Sequence, residues 1–240
     1  MKNTILTTII TVSAFIVIAP NSSMAESVLV PVTANVYGSG HSGAASTPQP
    51  GGGGGGTAPP SIDVLTTTQF GFLGSGSAKF SPINPTSTTP DGPAGAPTTF
   101  NGFNGLSGFS SDHDYALYGV FIGAIEPADP RPAALNFVGN TTFASLSPQL
   151  DQVFYIGDGL TGTGSGSTQV FNVPAGALKL YFGLADGVNN PIDNGFYGDN
   201  SGPGYQVEIF RSVPEPSTIV LAAIGIAGML LIRFRNRRNA

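Results

Sequence analysis

The chain has 240 residues, of which 10% are Asp, Glu, Lys or Arg, 34 are glycine, 20 are proline and none is cysteine. An average soluble chain has roughly 25% charged residues, and long surface helices need charged, glycine-poor stretches, so this composition excludes a helical bundle. The net charge of −5 lacks the basic footprint of nucleic-acid binding, and the absence of cysteine excludes disulfides and thiolate chemistry.

The first 25 residues have the pattern of a secretory signal peptide. Lys2 supplies a positive charge, an apolar stretch runs from Ile5 to Ala19, and the segment closes with Ser23-Met24-Ala25. This order predicts a signal helix and export, with signal peptidase cutting after Ala25. A permanent membrane anchor is the alternative.

Residues 26–212 form an acidic body with four basic and thirteen acidic residues, which gives 4 − 13 = −9. Short segments rich in β-branched and aromatic residues, separated by Gly, Pro, Asn and Asp clusters, predict strands. The candidates are 28–37, 62–72, 115–125, 152–156, 169–173, 178–185 and 205–211. The last two alternate clearly, with Leu178, Leu180, Phe182 and Leu184 on one face of the first, and Tyr205, Val207 and Ile209 on one face of the second.

This pattern predicts an all-β domain, an antiparallel β-sandwich. The Gly- and Pro-rich stretch 38–60 includes six consecutive glycines, and we expect it to be a flexible insertion that offers too little apolar surface to fold. The stretches 87–104 and 159–167 are predicted loops.

Residues 186–202 form the densest cluster of oxygen ligands in the chain. They contain three carboxylates and four carboxamides within seventeen residues: Asp186, Asp193, Asp199, Asn189, Asn190, Asn194 and Asn200. Calcium binds six to eight oxygens from side chains of these types and from main-chain carbonyls, so the cluster predicts a Ca²⁺ site. The alternative is a hairpin loop without an ion, because Asn, Asp and Gly also favour turns.

The order of these residues resembles the small calcium-dependent bacterial galactophilic lectins. The resemblance rests on a strand ending in Asp186, the sequence Phe-Tyr-Gly-Asp-Asn-Ser-Gly at 196–202 and the alternating strand after it. It implies Ca²⁺ ligands at Asp186, the Phe196 carbonyl, Asp199 and Asn200, with a further carbonyl near Phe80 or Ser81. Asp199 stands where that family has Asn, residues 189–195 lengthen the loop, and 91–111 lacks the family's His- and Gln-bearing sugar loop. The resemblance therefore implies a β-sandwich of the jelly-roll or galactose-binding-like kind, but it does not imply galactose specificity.

Other candidates for chemistry are weaker. Asp112-His113-Asp114 contains metal-binding and acid–base residue types, but it directly precedes a predicted strand, where such residues commonly cap a loop. No nucleophile motif of the Gly-x-Ser-x-Gly type stands on a strand–turn–helix pattern. We therefore predict no catalytic residue and a protein that is not an enzyme.

The C-terminal segment begins with Pro214-Glu215-Pro216, continues as a charge-free stretch over 217–232, and ends with four arginines, Arg233, Arg235, Arg237 and Arg238. As a helix this stretch would be about 24 Å long, a short transmembrane span, with the arginines as its cytoplasmic anchor. The arrangement resembles the PEP-CTERM sorting signal of Gram-negative bacteria that make exopolysaccharide. The resemblance implies processing by an exosortase, a membrane peptidase that cuts near the Pro-Glu-Pro.

Together these features predict a protein that is exported across the inner membrane, anchored there by its C-terminal helix and then processed to the cell surface or the medium. The expected function is Ca²⁺-dependent binding of carbohydrate, with extracellular polysaccharide as the partner. The alternative is a non-catalytic structural protein of the matrix or surface, with a purely structural ion or none.

Overall fold

The computed structural model describes residues 26–80, 84–188 and 193–212. The predicted signal peptide, with its cleavage site at Ala25, and the predicted sorting segment 213–240, with its helix over 217–232, lie outside these ranges. Within them, no helix has the length and apolar character needed to cross a membrane.

The described residues form seventeen strands and two short 3-10 helices, so the predicted all-β class is confirmed. The helices are η1 (Val36–Gly38) and η2 (Gly43–Ser46). The strands are β1 (Glu26–Val30), β2 (Ser61–Asp63), β3 (Gln69–Phe80), β4 (Asn84–Thr88), β5 (Ala94–Phe100), β6 (Phe109–His113), β7 (Tyr118–Ile122), β8 (Leu135–Asn136), β9 (Ser145–Leu146), β10 (Val153–Tyr155), β11 (Leu160–Gly162), β12 (Ser165–Thr168), β13 (Val170–Asn172), β14 (Lys179–Gly183), β15 (Gly187–Val188), β16 (Asp193–Asn194) and β17 (Asn200–Ser212).

Two larger sheets carry most of these strands. One has the order β1-β17-β3-β13-β9, with β4 also paired to β3, and the other has the order β10-β7-β14-β2. A three-stranded sheet, β5-β6-β8, and the hairpins β11-β12 and β15-β16 complete the described part of the chain. Most pairs are antiparallel, whereas β13 with β9 and β6 with β8 are parallel.

Aromatic side chains join the two larger sheets. Phe72 on β3 meets Phe182 on β14 edge to face, with ring centroids 5.6 Å apart. Phe171 on β13 lies 5.4 Å from Phe154 on β10. These rings are buried, and aromatic pairs of this geometry add to the free energy gained by burying their surface. The sheets therefore pack on each other in a sandwich-like arrangement around a phenylalanine-rich core.

The prediction of a single strand over 62–72 is wrong. The structure divides it into β2, which pairs with β14, and β3, which pairs with β17. Leu65 stands in the turn between them with φ of 55°, in the left-handed region that is unfavourable for a branched side chain. The chain crosses from one sheet to the other at this turn, and both halves carry apolar residues, so the local pattern does not mark the crossing.

The stretch 38–60 also differs from the prediction, since it packs against the domain instead of forming a flexible insertion. The Thr57 N–H donates to the Thr33 carbonyl at 2.7 Å, and the Tyr197 N–H donates to the Gly54 carbonyl at 2.8 Å. At Gly55, φ is +80° and a Cβ would lie 2.5 Å from the main chain of Gly198. Main-chain hydrogen bonds and close approach at glycine thus replace the apolar side chains that the stretch lacks.

Two further loop predictions need correction. The stretch 87–104 contains β5 and the end of β4, and the stretch 159–167 contains most of the β11–β12 hairpin. Glycine and proline mark the turns of these small sheets, and their strands lack a continuous apolar face, so no period-two pattern reveals them.

Candidate functional site

Main-chain contacts hold Asp186 in place just after β14. Its carbonyl accepts from the Gly195 N–H at 2.8 Å and, more weakly, from the Phe196 N–H at 3.4 Å. Its own N–H donates to the Tyr197 hydroxyl at 3.3 Å, and that hydroxyl donates to the Leu184 carbonyl at 2.8 Å. Because Tyr197 is fully buried, its side chain holds the loop that contains it next to the end of β14.

Asp186 is 5% exposed, and its carboxyl group lies among other acidic and amide groups. Burial raises its pKa to about 7, the Asn200 side chain opposes this by hydrogen bonding, and the negative charges of Asp199 and Asp114 add to the rise. A carboxyl group with such neighbours is poised between its neutral and ionised forms near neutral pH. A bound cation would favour the ionised form.

Several oxygens around Asp186 have no hydrogen-bond donor. Asp199 Oδ1, Asn200 Oδ1 and Asp114 Oδ1 are buried and have no hydrogen-bond partner among the described residues. The Asn200 amide nitrogen donates to the Val32 carbonyl at 3.0 Å, which orients this side chain. Buried acceptors without donors are costly, and a cation or ordered water would satisfy them.

In the structure the Asp186 carboxyl group is hydrogen-bonded by the Asn200 side chain and lies within electrostatic range of Asp199. Phe80 lies directly opposite Asn200 in the β3–β17 ladder, so its main chain belongs to the same region. Phe196 pairs with Gly54 in an isolated parallel bridge next to the Asp186 carbonyl. Ser81 lies outside the described residues.

Sequence reasoning did not place Asp114 in this cluster. Burial raises the pKa of Asp114, against a hydrogen bond with Thr98 that lowers it. Burial also raises the pKa of the Tyr115 hydroxyl, and the charges of Asp186, Asp114 and Asp199 add to that rise. Tyr115, in the β6–β7 turn, therefore lies near all three carboxyl groups. The only signal for Asp114 in the sequence is the motif Asp112-His113-Asp114, which is not adjacent to the 186–202 cluster.

That motif does not form one site. The Asp112 carboxylate accepts from the Gly139 N–H at 2.9 Å, His113 Nδ1 lies 3.1 Å from the Asp91 carbonyl, and Asp114 belongs to the Asp186 region. More broadly, no group of three or more His, Cys, Asp or Glu side chains within the described ranges is arranged to hold a metal ion. A calcium site here would need amide and main-chain oxygens as well.

A second buried acidic pair lies elsewhere in the domain. Asp91 Oδ1 accepts from the Tyr155 hydroxyl at 3.1 Å and from the Asp158 N–H at 2.8 Å. The Asp158 carboxylate accepts from the N–H groups of Leu160 at 2.9 Å and Gly164 at 2.6 Å. Burial raises the pKa of Asp158, and the adjacent Asp91 adds to the rise. These contacts fold the β11–β12 hairpin, which gives the pair a structural role.

Comparison with known proteins identifies the C-terminal segment. Residues 212–238 match the PEP-CTERM protein-sorting motif. The match covers 27 of the chain's 240 residues. The motif implies export in a Gram-negative bacterium, a membrane-anchored C-terminal segment and an exosortase as the processing partner. No curated protein and no solved structure matches the chain, so the lectin resemblance has no support from relatives.

The sorting motif begins where the last strand ends. Ser212, the first residue of the match, is also the last residue of β17. Its neighbour Arg211 is 8% exposed and donates to the Asp63 carbonyl at 2.6 Å and to the Glu26 carboxylate at 2.5 Å. The arginine thus joins β1, the end of β2 and β17 next to the first residue of the matched segment.

Proposed function

We propose that this exported, exosortase-processed protein acts outside the cell as a non-catalytic, Ca²⁺-dependent carbohydrate-binding module. The observation that carries the proposal is the buried carboxyl group of Asp186, which lies beside Asn200 and near two other carboxyl groups. We also propose that the protein is located outside the cell or at its surface, because the sorting motif implies export.

Calcium suits this region because the groups that converge there are oxygen acceptors. In the proposed site, Asp186, Asp199 and Asn200 supply side-chain oxygens, and the main chain at Phe196 and Phe80 supplies carbonyls. Asp114 is a further carboxylate within electrostatic range of Asp186. Calcium accepts irregular sets of six to eight oxygens at about 2.3–2.6 Å, and its charge offsets the repulsion between the carboxylates.

Carbohydrate is the proposed ligand class because Asp199 and Asn200 are only partly buried, so an ion bound beside them would keep one side open to solvent. Neighbouring sugar hydroxyls replace water on the ion, which gives modest affinity at each site, so several sites or a repetitive polymer would be needed for tight binding. An extracellular polysaccharide meets that requirement. The predicted jelly-roll or galactose-binding-like topology is part of this proposal, supported by the sandwich-like packing of the two larger sheets.

Calcium binding is tested by thermal unfolding of the full chain in increasing calcium chloride, with magnesium chloride as the comparison. Binding to the folded state alone stabilises it by about 2.7 kcal/mol when calcium is at 100 times its dissociation constant. Asp186→Asn and Asp199→Ala should abolish the shift, the second because alanine has no side-chain oxygen. Asp129→Asn is the matched control, since that carboxylate is exposed and paired with Arg131 at 3.0 Å. A calcium shift that survives both loop substitutions, or no shift in the wild type, refutes the site.

Carbohydrate binding is tested separately on an array of neutral and acidic polysaccharides, with and without a chelator. Binding that the chelator and Asp186→Asn both remove supports the proposed function. A calcium shift without carbohydrate binding favours the alternative, a structural matrix or surface protein with a structural ion. Binding that is insensitive to the chelator rules out the calcium mechanism.

A further inference from the structure

Three exposed apolar side chains lie at one end of the domain. Among the described residues, the large hydrophobic side chains that are exposed are Leu65 at 72%, Ile125 at 83%, Leu178 at 54% and Leu29 at 55%. Leu29 lies within β1, opposite Gln206 of β17. The other three all belong to turns and loops, where exposed leucine and isoleucine have no role in the core.

Strand register brings these three residues to the same end. Lys179, the first residue of β14, pairs with both Asp63 at the end of β2 and Ile122 at the end of β7. Leu178 therefore lies just beyond the row of paired residues formed by Asp63, Lys179 and Ile122. Leu65 and Ile125 lie beyond the same row, because they follow the ends of β2 and β7 by two and three residues. The Leu178 N–H donates to the Ile122 carbonyl at 2.8 Å, which continues the row past the strand ends.

The chain also leaves the domain at this end. Ser212 pairs with Gln69, and its carbonyl accepts from the Thr68 N–H at 3.1 Å, in the same β2–β3 connection that contains Leu65. We call the end formed by Leu65, Ile125, Leu178 and Ser212 the exit face. At this end the Arg211 guanidinium also donates to the Asp63 carbonyl, which joins the end of β2 to the end of β17.

The distance from the exit face to the membrane is bounded by the sequence. Four residues, 213–216, separate Ser212 from the start of the predicted span at Ser217. Five Cα-to-Cα steps cover at most about 17 Å, even when fully extended. The headgroup region adds about 5–7 Å to each side of a hydrocarbon core of about 30 Å. While the C-terminal segment is anchored, the domain cannot move far from the bilayer, and its nearest surface is the exit face.

Charged groups beside the apolar residues are paired. Lys179 Nζ lies 2.8 Å from Asp63 Oδ1, and the Glu26 carboxylate pairs with Arg211 at 2.5 Å. Next to Ile125, the Glu126 carboxylate is hydrogen-bonded with His41 Nδ1 at 2.6 Å. Pairing within the protein reduces both the repulsion from anionic lipids and the cost of approaching a headgroup layer.

We propose that the exit face rests on the lipid headgroup layer until exosortase releases the domain, with Leu65, Ile125 and Leu178 inserted at the interface. The contact adds to the tether and holds the cleavage segment at a defined height above the membrane. Once the tether is cut, three aliphatic side chains bind too weakly to retain the domain, because stable peripheral binding needs more apolar area or a second anchor. The inference does not depend on calcium or carbohydrate binding.

The absence of cysteine allows single labels to be placed by substitution. Leu178→Cys and Leu29→Cys form a matched pair, with exposures of 54% and 55% at the exit face and away from it. Each full chain is labelled with an environment-sensitive fluorophore and reconstituted into phosphatidylethanolamine–phosphatidylglycerol vesicles. Nitroxide placed high on the lipid acyl chain should quench the label at 178 several-fold more than the label at 29. Equal quenching, or chain that does not float with the vesicles, overturns the proposal.

A second measurement separates contact from tethering. A label at Thr66→Cys, also exposed in the β2–β3 turn, reports the position of the exit face when its apolar side chains are changed. Leu65→Ser, Ile125→Ser and Leu178→Ser together should lower the quenching at 66 several-fold, whereas Leu29→Ser should leave it unchanged. Unchanged quenching in the triple variant shows that the tether alone sets the distance and refutes the lipid contact. Thermal unfolding of each variant checks that the domain is intact.

Discussion

Replacing Arg211 by methionine tests whether this buried side chain holds the two ends of the domain together. Methionine keeps an apolar stem near the Phe70 ring, which lies 5.1 Å from the guanidinium carbon, and removes the charged donor. The Asp63 carbonyl then loses a donor at 2.6 Å, and the Glu26 carboxylate loses one at 2.5 Å. Both changes weaken the connection between β1, β2 and β17.

The size of the effect follows from these contacts. A hydrogen bond from a charged donor contributes about 1.5–3 kcal/mol, and removing one partner of a buried ion pair costs about 3–5 kcal/mol. The Glu26 side chain is 45% exposed, so water compensates part of its loss. We expect Arg211→Met to lower the free energy of unfolding by about 3 kcal/mol, which corresponds to a fall in Tm of about 6–12 °C for a domain of this size.

The assay is thermal unfolding of the full chain in detergent, combined with a double-mutant cycle. Glu26→Gln alone should cost about 1 kcal/mol, and it should cost much less in the Arg211→Met background, because the two side chains share one interaction. If the free energy of unfolding of Arg211→Met lies within about 0.5 kcal/mol of the wild-type value, the arginine does not stabilise the contact between β1, β2 and β17, and the reasoning is refuted.

Two further substitutions test the interior. Burial holds the pKa of Asp158 above its value of about 3.9 in the unfolded chain. Between these two pKa values the folded state keeps a proton that the unfolded state has lost. The free energy of unfolding therefore falls as pH rises from about 4 to the folded pKa. Asp91→Asn removes the adjacent charge and supplies a donor, so urea unfolding should show a smaller fall and greater stability at pH 7; an unchanged slope contradicts this. Phe171→Ala removes a ring whose centroid lies 5.0 Å from that of Phe72 and 5.4 Å from that of Phe154. In the same assay, the free energy of unfolding should fall by about 3–5 kcal/mol. A fall below about 1 kcal/mol would mean that the sheets do not pack through this ring.

The strands with regular alternation were predictable because one face of each is buried. Tyr205, Val207 and Ile209 of β17 are fully buried, as the alternation predicted. In β14 the same pattern places Leu180 and Phe182 in the core, but Leu178 lies beyond the strand and is exposed. Alternation identifies a buried face and does not show where the strand ends, since the last apolar residue can lie past the final pair of the ladder.

The candidate site was predictable only in part. Asp186, Asp199 and Asn200 lie close in sequence on one loop and its following strand, so composition and order pointed to them. Asp114 comes from the β6–β7 turn, and its place near Asp186 depends on how separate sheets pack. The same holds for Asp91 and Asp158, which come together across a long stretch of chain. Local composition does not predict that carboxyl groups distant in the sequence lie close together in the fold.

The sequence by itself determined the class of the domain, the sorting motif at 212–238 and the residue types available for a cation, because each of these depends on composition and local order. Tertiary structure alone decided that the Gly-rich stretch 38–60 packs against the domain, that Asp114 lies within electrostatic range of Asp186, and that exposed aliphatic residues lie at the same end as Ser212. Each of these three results depends on long-range strand register. That register is set by the packing of two sheets around a shared aromatic core, and no short segment of the chain contains it.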